Sequence, residues 1–397
     1  MQTVCIVSAR FYPQVVGSGT AAYSVAKGLA AAGHKVIVIT DYALKRFHKN
    51  HVLPFSIRYV HNLEAYATGK ASMQSPGQEL YEHIKDVSPD ILQVCNFMPM
   101  FLVSTYRNLI HCPVIFLPYN TPVIRERSID YYSSPELDIA LARFIVKIST
   151  YDQLIAGSKA YYKSLISLGA KKEKIKLSYL GIELNELQTQ LPPNKEVFQE
   201  YFGNKLLPNE TYLILPSRIT KQKGIMDAIH TLEIVNRKHN IKLLLTGMHE
   251  PFDTTYANNV AKLARELSIA DKVIEPLKTI PREVLPIFYK SARIAIVPSL
   301  YEGLGLSAIE AQALGVPLVA SDTSGLNEVV TNGINGLTSP PQNPQILAEC
   351  VGTLLEDQSL AQSLSRNGLE TVKKFDISHH TRELEEIYEE VVKSHHE

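Results

Sequence analysis

The chain has 397 residues, with 40 Lys and Arg against 40 Asp and Glu, so its formal net charge is zero. This length is enough for two or three domains with ample cores, and the balanced charge argues against nucleic acid as a partner. No stretch approaches the ~18 apolar residues of a membrane-spanning helix, and no basic leader precedes the first predicted strand. The cysteines are scattered, without the spacing of a zinc site or of a disulfide framework, which favours a reducing cytoplasm: Cys5, Cys95, Cys112 and Cys350.

Strands and helices alternate through the first half of the chain, as in a doubly wound α/β domain. Gly33 and Gly169 each follow a predicted helix, where glycine commonly ends one, and Ser158 is the expected N-cap of the last helix. The pattern predicts a domain over residues 1–190. Its predicted strands are 4–9, 35–40, 90–94, 114–117 and 153–156, and its predicted helices are 21–32, 78–87 and 158–168.

Two glycines, Gly17 and Gly19, stand ahead of the first predicted helix and imitate a dinucleotide fingerprint. Asp41 ends the next predicted strand at about the right distance for such a site. In a dinucleotide site, however, the glycines follow the strand immediately, whereas residues 10–16 intervene here. We therefore interpret the segment as a longer glycine loop that can approach a diphosphate or a sugar, and prefer this to an NAD-dependent enzyme.

The even overall charge conceals an asymmetry between the two halves. Residues 1–185 carry 20 Lys and Arg against 13 Asp and Glu, and residues 186–397 carry 20 against 27. A basic, aromatic run, Lys45-Arg-Phe-His-Lys49, adds to the positive half. Such a run can meet an anionic membrane or an acidic acceptor, although a solvated loop is the commoner interpretation of a run like this. It predicts peripheral contact with the inner face of the cell membrane.

A second alternating series follows the proline-containing segment Leu191-Pro-Pro-Asn194. It predicts a second domain over 205–375, with a cleft between the two domains. The charged helix predicted over 376–397 is long enough to cross back to the first domain. Because open α/β sheets bind ligands at the carboxyl ends of their strands, the candidate site should lie there. The predicted strands are 212–215, 242–246, 273–275, 294–297 and 317–320.

Two carboxylates, Glu302 and Glu310, bracket a glycine turn and the start of a predicted helix. Helix N-termini present free N–H groups to anions, and Gly303 and Gly305 let the backbone approach a ligand closely. Glu310 lies in a nearly uncharged helix, where a buried carboxylate needs a partner or a ligand. The alternative is that both carboxylates are solvated. The pattern favours a ligand that combines an anion with hydroxyls, such as a sugar attached to a diphosphate.

A basic turn, Ser217-Arg218-Ile-Thr-Lys-Gln-Lys223-Gly224, follows the first strand of the second domain. The guanidinium of Arg218 and the ammonium of Lys223 suit a diphosphate, the first by its fork geometry and the second as a point charge. A surface basic turn is the alternative interpretation. The basic turn lies in the same predicted domain as the two carboxylates, and this favours phosphate binding.

Together these segments resemble the GT-B retaining glycosyltransferases of family 4 (glycosyltransferase group 1), over nearly the whole chain. The block from Glu302 to Glu310 is the most specific part, and the opening glycines are the least specific. The segments that carry the resemblance are Phe11-Tyr-Pro with Gly17-Ser-Gly19, Gly33-His34-Lys-Val, Ser158 to Glu183, Ser217-Arg218 with Lys223-Gly224, Thr246-Gly247, Pro298 to Leu306, Glu310-Ala, Gly325-Leu-Asn-Glu328-Val-Val and Gly333-Ile-Asn335-Gly336-Leu.

The resemblance implies two Rossmann-like doubly wound domains facing a central cleft, and retaining transfer of a sugar from a UDP- or GDP-linked donor without cofactor or metal. It implies that Glu310 binds the ribose hydroxyls and that Glu302 contacts the sugar near its reacting carbon. Arg218 and Lys223 would neutralise the departing diphosphate. The other donor-binding positions that it implies are Gly17, Gly19, Gly247, Gly303, Leu304, Gly305 and Leu306.

The chain departs from the family pattern in its first domain. The family usually has a histidine after the strand that corresponds to residues 114–117, whereas this chain has Pro118-Tyr119-Asn120-Thr121. We predict that Tyr119 or Asn120 hydrogen-bonds the sugar instead and count both as catalytic candidates. The alternative function is a nucleotide-sugar-binding protein of the same fold with weakened catalysis. The acceptor is open among lipid-linked glycans, saccharides and small molecules.

Overall fold

A computed structural model describes residues 1–12, 17–48, 52–63, 74–119, 135–148, 150–188, 195–247 and 254–396. The chain divides into two compact units. The first unit comprises residues 1–183 and 375–397, and the second comprises residues 184–374. Each unit is built on its own parallel β-sheet with helices packed on it, which confirms the doubly wound α/β class. No helix among the described residues is both long enough and apolar enough to cross a membrane.

The first unit has a seven-stranded sheet in the order β3-β2-β1-β4-β5-β6-β7, with all registered pairs parallel. The five predicted strands are present, and two further strands, β3 and β7, form the edges. Both edges are partly exposed, so they lack the continuous apolar run of a buried parallel strand. The strands are β1 Thr3–Ser8, β2 Lys35–Asp41, β3 Ser56–Val60, β4 Ile91–Cys95, β5 Val114–Phe116, β6 Gln153–Ala156 and β7 Ile175–Leu177.

The helices of the first unit include one that corrects a sequence prediction. Gly17 and Gly19 were expected in a loop, but both belong to the first turn of helix α1. Gly19 is buried together with Ala21 and Ala22, so these small residues let the start of the helix pack closely. The helices are α1 Gly17–Ala31, α2 Lys45–His48, α3 Gln74–Val87, α4 Phe97–Thr105, α5 Pro135–Ile148, α6 Lys159–Ser167 and, at the C-terminus, α15 Ile377–His396.

The C-terminal helix α15 packs within the first unit. A Cβ added to Gly28 of α1 would lie 2.3 Å from Oγ1 of Thr381, so the two helices approach at a glycine. The hydroxyl of Tyr388 donates to Oε1 of Gln93 at 2.5 Å, inside the core. His380 is also buried, 2.7 Å from the hydroxyl of Ser178, and burial lowers its pKa to about 4.

The second unit has a six-stranded sheet in the order β10-β9-β8-β11-β12-β13. Its five predicted strands are present, and the short edge strand β13 was not predicted. The strands are β8 Tyr212–Leu215, β9 Lys242–Leu245, β10 Val273–Ile274, β11 Ile294–Val297, β12 Leu318–Ser321 and β13 Leu337–Ser339. The helices are α7 Leu184–Gln188, α8 Lys195–Phe202, α9 Ile225–Asn236, α10 Thr254–Glu266, α11 Leu285–Ser291, α12 Leu306–Ala313, α13 Pro344–Glu356 and α14 Gln358–Thr371.

Sequence order reverses in this sheet between β8 and its neighbour β11. β8 pairs with β9 on one side and with β11 on the other, all in parallel, so the carboxyl ends of β8 and β11 are adjacent. Such a switch point opens a crevice outside the strand ends, because successive connections leave the sheet in opposite directions. The fold therefore brings together the basic turn that follows β8 and the carboxylate segment that follows β11.

Candidate functional site

A backbone hydrogen bond joins the two loops at the switch point. The amide of Leu300 donates to the carbonyl of Gln222 at 2.8 Å. Gly224 ends the turn at Lys221–Lys223 with φ +65°, and a Cβ there would lie 1.9 Å from the carbonyl oxygen of Pro298. Only glycine meets both demands, the positive φ and the close approach. The contact fixes the basic turn against the segment that carries Glu302.

Glu302 and Lys223 form a sheltered ion pair at the carboxyl end of β11. Nζ of Lys223 donates to Oε1 of Glu302 at 2.5 Å, and the hydroxyl of Ser299 donates to the same oxygen at 2.9 Å. The Lys223 side chain is 18% exposed and the Glu302 side chain is 9% exposed. Charge-assisted bonds of this kind are strong and directional. Two residues that the sequence assigned to different parts of a ligand are thus in direct contact.

Glu310 lies on helix α12 and has a different environment from Glu302. Its Oε2 accepts a hydrogen bond from the hydroxyl of Tyr289 at 3.1 Å. Burial raises the pKa of the Glu310 carboxyl, while the nearby charge of Arg282, the bond from Tyr289 and the charge of Lys223 each lower it. The carboxylate is therefore costly to ionise and depends on these neighbours for its charge.

The glycine turn between the two carboxylates leads directly into helix α12. Gly305 is the N-cap residue with φ +94°, and a Cβ there would lie 2.5 Å from Cδ2 of Leu326. Gly325, with φ +83°, approaches the carbonyl oxygen of Glu302 just as closely, since a Cβ there would lie 2.4 Å away. The first amides of a helix have no partner within it, so the start of α12 at Leu306 can accept an anion. Gly303 and Leu304 complete the turn, and Leu304 is buried.

Arg218 and Gly247 lie at the ends of the neighbouring strands β8 and β9. The amide of Gly247 donates to the carbonyl of Ser217 at 3.1 Å. A Cβ on Gly247 would lie 2.6 Å from Cα of Arg218, so the glycine allows this backbone approach. Arg218 itself is partly exposed. The contact of Gly247 with the backbone thus shapes the turn that carries Arg218. Direct contact of Gly247 with a donor stays a prediction.

The candidates in the first unit fare differently. Tyr119 is buried: it is 4% exposed, and burial next to the Cys95 thiol raises the pKa of its phenol, while its contact with a sugar stays a prediction. Its carbonyl accepts a hydrogen bond from the hydroxyl of Tyr161 at 2.6 Å. The reason is that the apolar run of β5 continues through Leu117 into Tyr119, and the aromatic ring packs inward. Asn120 lies outside the described residues.

Comparison with known proteins gives the site its context. Residues 197–371 match the family described as Glycosyl transferases group 1, and residues 15–186 match Glycosyltransferase Family 4. The chain belongs to the GT4-type glycosyltransferases of the GT-B fold. It is 26% identical to an uncharacterised glycosyltransferase of Methanocaldococcus jannaschii, with 97% of each chain covered.

Two solved structures share the fold of this glycosyltransferase. Sucrose-phosphate synthase from Thermosynechococcus elongatus superposes with a TM-score of 0.83 at 20% identity, covering 99% of this chain and 100% of that one. HepE from Anabaena, solved in complex with UDP-glucose, superposes with a TM-score of 0.80 at 17% identity, covering 98% and 100%. At these identities the likeness establishes the fold.

Three residues of the candidate site were not predicted from the sequence. Ser299 adjoins the carboxylate segment and could have been found from its position next to Pro298 at the strand end. Tyr289 and Arg282 lie on and just before helix α11, and they act on Glu310 only because the fold packs α11 near α12. Local sequence carries no signal for a contact between side chains 21 residues apart.

Proposed function

We propose that this glycosyltransferase transfers a sugar, with retention of anomeric configuration, from a UDP- or GDP-linked donor to a hydroxyl of its acceptor. The observation that carries the proposal is the grouping of Lys223, Glu302 and Glu310 around a helix start at the switch point of the second sheet. A nucleotide sugar has three features to match: ribose hydroxyls, a diphosphate and sugar hydroxyls. The solved complex of HepE with UDP-glucose supports a donor of this class.

Each donor feature has a chemical counterpart in the second unit. Carboxylates accept hydrogen bonds in pairs, so Glu310 suits a ribose diol and Glu302 suits sugar hydroxyls beside the reacting carbon. Arg218 and Lys223 place positive charge where the diphosphate leaves, and the first amides of α12 add donors to it. Fixed cations of this kind can stabilise the leaving group by themselves. We therefore infer a reaction that needs neither metal nor cofactor.

Lys223 has a second task in this proposal. Before the donor binds, its ammonium neutralises the buried carboxylate of Glu302. Two unit charges 4 Å apart attract by about 4 kcal/mol at an effective dielectric constant near 20. An arriving diphosphate can therefore compete for the ammonium, and Glu302 would then turn its oxygens to the sugar. Donor binding and exposure of the sugar-binding carboxylate are thereby coupled through one lysine.

We also infer a cytoplasmic location with peripheral contact at the inner face of the cell membrane. Lys45 and Arg46 are exposed on helix α2, and Phe47 beside them is 44% exposed. Exposed cations with an aromatic side chain suit an anionic lipid surface. His48 is buried against the carbonyl of Tyr12 and is not part of this surface, and position 49 lies outside the described residues. The four cysteines are free thiols, which is the state that a reducing cytoplasm maintains.

The test is nucleotide release from a panel of UDP-, GDP- and ADP-linked sugars, each combined with monosaccharides, sugar phosphates and lipid-linked saccharides. We expect release with at least one pair, unchanged by EDTA, and a product whose anomeric configuration by NMR is that of the donor. Tight binding of a nucleotide sugar by calorimetry without any release would favour the alternative, a binding protein of the same fold. Absence of both binding and release would refute the proposal.

A further inference from the structure

Tyr289 is a buried tyrosine whose hydroxyl reaches a binding carboxylate. Tyr289 lies in helix α11 and is 1% exposed. The hydroxyl lies 3.1 Å from Oε2 of Glu310 and 3.3 Å from the carbonyl oxygen of Ser307, both on helix α12. A phenol has one proton to donate, and an ionised carboxylate is the stronger acceptor of the two. The shorter bond, to Glu310, is therefore the principal one.

This bond determines which part of Glu310 faces a ligand. A glutamate side chain loses rotamer entropy when it is held in a single conformation. Tyr289 is a rigid aromatic anchor and occupies Oε2, so the carboxylate is fixed before a ligand arrives. Because the bond from Tyr289 engages Oε2, it leaves Oε1 available to a ligand.

We propose that Tyr289 is the positioning residue of the donor site: it orients the Glu310 carboxylate towards the ribose hydroxyls and so sets the affinity for the nucleotide. This inference rests on the proposed function, because it assigns the ribose to Glu310. Tyr289 itself touches no substrate. It acts through the carboxylate, and its effect should appear in donor binding and not in the chemical step.

The charges around Glu310 give the inference a pH signature. The groups that face it are Tyr289 from α11, Arg282 from the segment before α11 and Lys223 from the basic turn, and all three lower the pKa that burial raises. Removing the tyrosine hydroxyl deletes a bond to the ionised form, so the carboxyl then protonates at higher pH. The acid limb of the donor-affinity profile should move to higher pH by the same amount.

The experiment compares Tyr289→Phe with Tyr212→Phe in the intact chain, with the donor found in the nucleotide-release panel. Tyr212 is a matched control, because it too is buried in the second unit and donates to a backbone carbonyl, that of Phe288, at 2.8 Å. For Tyr289→Phe we expect the donor KM to rise about tenfold, kcat to stay within about threefold and the acid limb to shift upward. Tyr212→Phe should leave KM and the acid limb unchanged.

A double-mutant cycle separates positioning from a structural effect. With Glu310→Ala as background, Tyr289→Phe should add no further rise in KM, because the carboxylate it orients is gone. Equal loss in both backgrounds, or an unchanged KM and acid limb in the single variant, would overturn the inference. The thermal midpoint of each variant shows that it is folded. If the wild type releases no nucleotide, the proposed function fails first; if the wild type is active and Tyr289→Phe equals it, only this inference fails.

Discussion

Replacement of Lys223 by methionine probes the ion pair at the centre of the site. The substitution keeps the length of the apolar stem and removes the ammonium that lies 2.5 Å from Oε1 of Glu302. The carboxylate keeps the bond from Ser299 but loses its counter-ion in a place where its side chain is 9% exposed. Breaking a buried pair costs about 3–5 kcal/mol, and because the Lys223 side chain is 18% exposed we expect about 1–3 kcal/mol.

The same substitution should affect activity more than stability. Removing one preorganised group that stabilises developing charge typically lowers kcat by about 10²–10³-fold, and Lys223→Met should do so through the leaving diphosphate. Urea unfolding gives the stability, and nucleotide release gives the rate. Lys242→Met is the matched control, since Lys242 pairs with Glu210 at 2.6 Å elsewhere in the second unit. It should change kcat by less than about twofold.

The double variant Lys223→Met with Glu302→Gln separates the two effects. A neutral amide beside the methionine no longer leaves a buried charge unpaired, so stability should recover by about 1–3 kcal/mol relative to the sum of the single variants. Activity should not recover, because both functional groups are gone. Additive stability changes, or a Lys223→Met variant that keeps kcat within about threefold of wild type, would refute the reasoning.

Three further predictions concern other parts of the molecule. Burial lowers the pKa of His380 to about 4, from a value near 6.5 in the unfolded chain. Because the unfolded state therefore binds the proton first, the free energy of unfolding should fall by about 3 kcal/mol as the pH drops from 6.5 to 4. His380→Gln should flatten the pH dependence of the thermal midpoint in this window. Gly224→Ala would bring a Cβ to 1.9 Å from a backbone carbonyl oxygen, so this variant should lose both stability and nucleotide release. Gly333 is the control, because it also has a positive φ, +72°, but nothing lies within 4 Å of its added Cβ. Gly333→Ala should cost only about 1 kcal/mol in urea unfolding and should leave nucleotide release intact. The wild type should co-sediment with vesicles containing anionic lipid at low salt, and reversing the charges of Lys45 and Arg46 should abolish this; equal sedimentation of both would count against the membrane surface.

Much of the fold could be predicted because buried parallel strands are continuous apolar runs. All ten strands predicted from such runs are present, whereas the partly exposed edges β3 and β13 gave no such pattern. The prediction of a glycine loop at Gly17 was wrong for a physical reason. Glycine signals flexibility in a sequence, but here small residues start helix α1 in a tightly packed place.

The candidate site could be predicted only where its residues are neighbours in sequence. Glu302 and Glu310 lie in one strand–turn–helix segment, so their spacing carried the prediction. The pairing of Glu302 with Lys223 and the bond from Tyr289 to Glu310 depend on how separate elements pack, which local pattern does not encode. The burial of Tyr119 was likewise not evident from its position after a strand, and its contact with a ligand stays a prediction.

The most direct test of the account is a crystal structure with the donor selected by nucleotide release. It should show the diphosphate within hydrogen-bond distance of Lys223 and the first amides of α12. The ribose should bond to Glu310 and the sugar hydroxyls to Glu302. A nucleotide bound away from the carboxyl ends of β8 and β11, or a diphosphate that leaves the ion pair of Lys223 and Glu302 untouched, would contradict it.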